Sequence, residues 1–239
     1  MKKIIPAIIL FAFMLASCYA NQGNEKLENK STTDNSSKFN NESISQEVIK
    51  KPRVEIINRL FPEKFSSERE GEISFVMLHF SSNVIENKKS PYDVDKVLNI
   101  FMEYYTSPHY LIDREGVIYQ CVDESRTAWH AGKGEWGNDE KYTNKMNEYS
   151  IGIEILGIGS YNDMKKYLSE KEYNSINKSD LGFTEKQYDS ILELLQDIDD
   201  RYKTITFDKE HIISHEDYAP DRKTDPGELF DWQKIGLDE

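Results

Sequence analysis

Between Ser214 and Gly227 the chain reads Ser-His-Glu-Asp-Tyr-Ala-Pro-Asp-Arg-Lys-Thr-Asp-Pro-Gly, which sets a histidine, a lysine and a carboxylate in one short stretch. Pro220 and Pro226 lack a backbone N–H, and each disfavours helical angles at the residue before it. The stretch is therefore expected to be a non-helical loop, closed by Gly227, a residue that tolerates unusual dihedrals. An imidazole and a carboxylate on a stiff loop are two of the three N or O ligands that a catalytic zinc takes from a protein, the fourth position being left to water. His215 and Asp225 are those candidates. His79 is the third: it ends Ile73-Ser74-Phe75-Val76-Met77-Leu78-His79, a short apolar run that reads as a buried strand. A lone histidine there would be read as a core residue bonded to a backbone carbonyl. Beside the His215/Asp225 stretch, the ligand reading takes precedence.

Several elements must position these groups. Tyr92 to Tyr105 predicts a helix, with Val94, Val97, Leu98, Phe101 and Met102 at three- and four-residue spacing. Tyr110-Leu111-Ile112 and Val117-Ile118-Tyr119 flank Asp113-Arg114-Glu115-Gly116, a hairpin turn with Gly116 where positive φ is needed. Ser150 to Leu156 reads as a strand. Thr184 and Gln187 form a capping box at the start of the clearest helix, whose apolar stripe of Tyr188, Ile191, Leu192, Leu195, Ile198 and Tyr202 runs to about Lys203. His211 to Ser214 is a short strand feeding the ligand stretch. Residues 157–182 are polar and are expected to be an irregular insertion over one face. The pattern is a mixed α/β domain.

Composition bounds the rest. Lys2 and Lys3 precede an apolar stretch, Ile4 to Ala16, that is short for a membrane span. Leu15-Ala16-Ser17-Cys18 resembles a lipobox, which makes residues 1–17 a lipoprotein signal peptide and Cys18 the lipidated first residue; cleavage after Ala20 as a plain secretory peptide is the alternative. Residues 18–50, rich in Asn, Ser, Lys, Glu and Gln, are expected to be a disordered tether. Residues 51–239 then form one domain. The net charge of −13 gives no electrostatic footprint for nucleic acid. With Cys18 acylated, the one other cysteine, Cys121, has no partner in the chain and is read as a small core residue rather than a zinc ligand. A monomer is expected.

Four segments together resemble the type-2 zinc N-acetylmuramoyl-L-alanine amidases, the family of the phage lysozyme-amidases and peptidoglycan recognition proteins. They are Val76-Met77-Leu78-His79; Tyr110 to Gly116 with Ala128-Trp129-His130-Ala131-Gly132; Ser150-Ile151-Gly152-Ile153-Glu154; and Arg222-Lys223-Thr224-Asp225-Pro226-Gly227. The last is most like the bacterial muropeptide-recycling branch. The resemblance implies a central mixed sheet flanked by helices, with one zinc per domain in a surface cleft held by His79, His215 and Asp225. It implies Glu154 as general base and acid, Lys223 as oxyanion stabiliser, and Trp129 and His130 lining the substrate groove; His130 is also a rival ligand. The implied reaction is cleavage between N-acetylmuramic acid and L-alanine of peptidoglycan or muropeptides. The implied site of action is the cell envelope, on a lipid anchor, facing the periplasm from the outer membrane in a Gram-negative source. One departure stands out: Pro108 occupies the position of the catalytic tyrosine of the phage enzymes, which strengthens Glu154 and leaves Tyr110 as a reserve. His109 and His211 are expected at the surface or at strand ends. The rival reading is a non-catalytic peptidoglycan-binding lipoprotein on the same fold. A metallopeptidase is disfavoured, since no His-Glu-x-x-His is present.

Overall fold

The computed structural model describes residues 54–237. The signal peptide, Cys18 and the tether lie outside the described residues. Six strands make the main sheet, in the order β1-β5-β4-β7-β3-β8. They are β1 (Ile56–Asn58), β3 (Phe75–Ser81), β4 (Tyr110–Ile112), β5 (Ile118–Gln120), β7 (Ser150–Leu156) and β8 (Ile212–Ser214). The β4/β5 hairpin is antiparallel and the other pairs are parallel, so the sheet is mixed. Gly116 takes φ 81° in the hairpin turn, as its position requires. A separate antiparallel pair joins β2 (Ser66–Glu68) to β6 (Arg126–Ala128).

The two-residue period of a strand divides the sheet's contents between its faces. Val76 and Leu78 of β3, Ile151, Ile153 and Ile155 of β7, and Tyr110 and Ile112 of β4 pack into one core with α5 (Glu185–Arg201). Tyr188, Ile191, Leu194, Leu195 and Ile198 supply the helix's side of that core. Full burial of such a side chain is worth about 1.5–3 kcal/mol, so this face anchors the domain. Thr184 and Gln187 form the predicted capping box of α5. On the opposite face, Phe75, Met77 and Ile213 pack with Ala131, Met146 and Tyr218. Beside them, Leu111, Cys121 and Leu156 pack with Val97 and Leu98 of α1 (Val94–Glu103). Cys121 is fully buried, as expected of a core residue, and burial pushes its thiol up to about 12.

Four expectations are corrected. The Ser214–Gly227 stretch is not wholly irregular: His215–Tyr218 is one helical turn, α6, capped by the Ser214 side chain, which accepts from Asp217 N at 2.8 Å. Pro220 restricts only itself and Ala219, so a turn that ends at Tyr218 escapes it. Residues 157–182 are not irregular either. They hold α3 (Tyr161–Met164) and α4 (Glu170–Tyr173), each with a complete capping box, over a small core of Val84, Ile158, Met164, Leu168 and Ile176. For His109 the surface alternative is overturned: it stands at the strand end, directly before β4, but is fully buried, its Nδ1 accepting from Gly152 N at 3.0 Å. Tyr110 does not approach the ligand residues. It lies on the α5 face, where its hydroxyl donates to Glu124 Oε1 at 2.7 Å, within a buried cluster that includes Arg201 and Tyr202.

Candidate active site

Strand register places the first two functional side chains. His79 on β3 is paired across the ladder with Glu154 on β7, so both leave the same face of the sheet, opposite α5. The alternation that buries Ile151, Ile153 and Ile155 against α5 is what turns Gly152 and Glu154 the other way. His215 follows β8 directly as the first residue of α6. Asp225 returns over it, its carbonyl accepting from Glu216 N at 3.0 Å.

The three predicted ligands meet. Their ligand atoms lie within 4.8 Å of one another, and the residues are 2%, 1% and 9% exposed for His79, His215 and Asp225. Asp225 Oδ2 sits 2.7 Å from His79 Nδ1 and 2.9 Å from His215 Nδ1. Burial acts to raise the Asp225 carboxyl, but the adjacent His215 and His79 rings and the charge of Lys223 outweigh it and hold it well below the usual range. Burial pushes His215 down to about 3, against the pull of Asp225, so its ring is neutral at pH 7. Its Nε2 lies 2.7 Å from the Ala131 carbonyl, which can only accept, so the ring's one proton is on Nε2. His215 Nδ1 therefore turns a lone pair toward a carboxylate oxygen. Two acceptors at this distance call for a cation between them, and the N,N,O donor set is one that zinc takes. The residues present fit a zinc ion.

Glu154 is 9% exposed beside this cluster. Burial raises its pKa most strongly; Asp225 adds to the rise, while His79 and Lys223 oppose it. Ser81 lies close enough to favour the charged form, yet Ser81 Oγ and Glu154 Oε2 are the two buried side-chain polar atoms left without a hydrogen bond among the described residues. A buried carboxylate oxygen with no partner, next to a metal-type donor set, is free to exchange a proton with a bound molecule. Lys223 is half-buried on the ligand loop, and its charge is felt by Glu154, His215 and Asp225 alike. Trp129 is half-buried, its indole N–H directed to Ser67 Oγ at 3.5 Å. His130 reaches further in than a groove residue would: its Nδ1 lies 3.0 Å from His79 Nε2. His211 pairs with Asp208 at the start of β8, apart from the cluster.

Three contributors carried no sequence signal. Asn147 Oδ1 accepts from the backbone of His130 at 3.0 Å and of Ala131 at 2.8 Å. The Ala131 carbonyl fixes His215, as above. Asp163, in the 157–182 segment, accepts from Glu228 N at 3.3 Å and so ties that segment to the ligand loop. Each of these bonds has a backbone group at one end, and residue type alone does not tell which backbone group will be met.

Residues 69–228 match the family described as N-acetylmuramoyl-L-alanine amidase. The chain is 33% identical over 174 residues to the 1,6-anhydro-N-acetylmuramyl-L-alanine amidase AmpD of Haemophilus influenzae, an alignment covering 68% of this chain and 80% of that protein. It is 29% identical over 170 residues to the N-acetylmuramoyl-L-alanine amidase AmiD of Escherichia coli, covering 68% of this chain but only 52% of that protein, so it spans about half the length of AmiD. Among solved structures, that of a selenomethionine AmpD derivative superposes with a TM-score of 0.52 at 26% identity, over 74% of this chain and 92% of that one. The chain belongs to the N-acetylmuramoyl-L-alanine amidase family, in the branch of the muropeptide amidases.

Proposed function

We propose that this protein is a zinc-dependent amidase that hydrolyses the bond between the lactyl group of N-acetylmuramic acid and L-alanine in muropeptides, working from a membrane to which Cys18 anchors it. The observation that carries the reading is the convergence of two imidazoles and a carboxylate, with no proton between His215 and Asp225, beside the unpartnered Glu154. The names of the relatives support the substrate class. His79, His215 and Asp225 would hold one zinc, which when bound lowers the pKa of its water to about 7 and polarises the substrate carbonyl. Glu154 takes a proton from the attacking water and returns it to the leaving amine of L-alanine, a role suited to a carboxyl whose pKa burial has raised. Lys223 sets an ammonium where negative charge develops on the carbonyl oxygen. The net charge of −13 argues against long-range attraction to an anionic wall, so recognition is local.

Mass spectrometry of muropeptides incubated with the protein tests this. The expected products are a sugar bearing a free lactyl carboxylate and a stem peptide with a free L-alanine amine, lost with chelator and in His79→Ala and Asp225→Ala. Binding without cleavage in the zinc-loaded protein would instead mean a peptidoglycan-binding lipoprotein. A His79→Ala protein with a full complement of zinc would remove His79 from the ligand set.

A further inference from the structure

We infer that His130 is a positioning residue for the metal site: it accepts the Nε2 proton of His79 and so commits His79 Nδ1 to the metal. This rests on the zinc reading above and adds to it the origin of the ligand's orientation.

The direction of the proton relay follows from its far end. Ser150 Oγ lies 2.6 Å from the carbonyl oxygen of Met146, and the one proton available to that contact is the serine hydroxyl's. With that proton committed, Ser150 Oγ faces His130 Nε2, 3.3 Å away, as an acceptor. A neutral His130 ring therefore carries its proton on Nε2 and a lone pair on Nδ1. That lone pair points at His79 Nε2, 3.0 Å away, so His79 supplies the proton there. His79 Nδ1 is left bare, 2.7 Å from Asp225 Oδ2. The opposite relay would have His79 Nδ1 donating to Asp225, His130 Nδ1 donating to His79, and Ser150 donating to His130. It would leave the Ser150 and Met146 oxygens 2.6 Å apart with no proton between them. The bare pair left by the first direction, His79 Nδ1 and Asp225 Oδ2, is where the metal would sit, whereas no metal relieves the Ser150–Met146 contact; an unmet buried acceptor costs about 1–3 kcal/mol, so with metal bound the first direction wins.

The rest of the Ala128–Gly132 segment serves the same end. Asn147 clamps the backbone at His130 and Ala131. The His130 ring lies on Gly152, where a Cβ would come within 2.4 Å of the ring's Cγ. This accounts for a glycine between two isoleucines in the middle of β7. One residue further on, the Ala131 carbonyl takes the Nε2 proton of His215. A single short segment thus sets the tautomers of both histidine ligands, His79 through the His130 side chain and His215 through the backbone. Partners of this kind typically govern about 10–100-fold in metal affinity.

The test is zinc affinity, by chelator competition, on the full domain. His130→Phe keeps a ring on Gly152 but removes the acceptor; His130→Asn places an amide oxygen near the former Nδ1. Phe is expected to weaken zinc by about 10–100-fold and Asn to restore most of the loss. Equal zinc affinity in wild type and His130→Phe overturns the inference while the zinc reading stands. A wild type that takes up no zinc overturns the zinc reading itself. Should His130→Phe fail to fold, long-range ¹H–¹⁵N spectra of the zinc-loaded wild type decide. Protons on Nε2 of both His79 and His130 uphold the relay, and a proton on Nδ1 of His130 overturns it.

Discussion

Replacing Glu154 by Gln should separate chemistry from folding, because the two effects have opposite signs. The amide is nearly isosteric, and His79, its cross-strand neighbour, keeps its register on β3. The first metal shell should therefore survive. What is lost is a group that can accept and release a proton, typically worth about 10²- to 10⁴-fold in turnover, or about 2.7–5.4 kcal/mol at 1.36 kcal/mol per decade. Stability should move the other way. Burial raises the Glu154 pKa above its unfolded value, so in the window from 4.5 up to the folded pKa the native state holds a proton that the unfolded chain has lost. Stability falls as pH rises through that window, and the cost persists at neutral pH. Gln removes that cost, and the variant should be at least as stable as wild type at pH 7–8. The assay is turnover of amide cleavage, zinc content and urea unfolding on one preparation. Full turnover with full zinc would refute the proton-transfer role and pass it to Lys223, since Tyr110 is held by Glu124 on the other face. Lost zinc would make Glu154 a structural support instead.

Other consequences follow from burial and charge. Burial, with help from Arg69, holds His109 at about 3, so between pH 6.5 and 3 the unfolded chain binds a proton that the native state refuses; stability should fall on acidification by about 1.4 kcal/mol per pH unit from this group. His109→Asn, which keeps an acceptor for Gly152 N, should lose its deficit against wild type as pH drops, and a pH-independent difference in urea unfolding would contradict this. Gly227 has φ 86°, and a Cβ there would come within 2.8 Å of Asp163 Oδ2. Gly227→Ala should cost about 1–3 kcal/mol in unfolding and weaken zinc by shifting Asp225; unchanged zinc affinity would mean the loop absorbs the change elsewhere. Removing zinc with chelator should lower the melting temperature, because bare His215 Nδ1 and Asp225 then face each other; a ligand at 100 times its Kd contributes about 2.7 kcal/mol. Cys18→Ser should move the protein to the soluble fraction, and continued sedimentation with membranes would refute the lipid anchor.

The candidate site residues could be picked out by type, because the proposed chemistry restricts type. His79, His215 and Asp225 are brought together as read, and Glu154 lies beside them. The strands at 150–156 and 212–214 and the capping box at Thr184 were legible because they obey local periodicity and local hydrogen bonding. The errors have two causes, support from residues distant in sequence and elements too short to show a period. His109 looked peripheral next to Pro108, but Arg69 and the Gly152 amide enclose it from elsewhere in the chain. Residues 157–182 looked irregular because their two helices are one turn long, below the length at which an apolar stripe is visible; Ser160 and Ser169, each three residues before an acid, were the signal available. His130 was read as a groove residue because its partners, Ser150 and Gly152, are distant in sequence and adjacent only in the fold.

The same distinction bears on how the site tolerates change. His79 and Glu154 are cross-strand neighbours in a parallel pair, so their separation is set by the spacing of strands, about 4.8 Å, and by a register that a one-residue slip would reverse. Seven buried residues of β7 and the core against α5 hold that register. Asp225 and Lys223 have no such frame. Their loop is held by hydrogen bonds outside the sheet: Glu216 N to the Asp225 carbonyl, Arg222 N and Lys223 N to the Ala219 carbonyl, the Arg222 guanidinium to the Ala131 and Lys133 carbonyls, and Glu228 N to Asp163. The proposed metal ligand His79 and proton-transfer group Glu154 thus sit on the sheet, while Asp225 and Lys223, the other proposed groups, sit on a loop that residues 157–182 contact through Asp163. On the proposed roles, sequence change in 157–182 is expected to act on Asp225 and Lys223 without disturbing the His79–Glu154 pair. Change within β7 has no comparable freedom, because every residue there is buried on one face or the other.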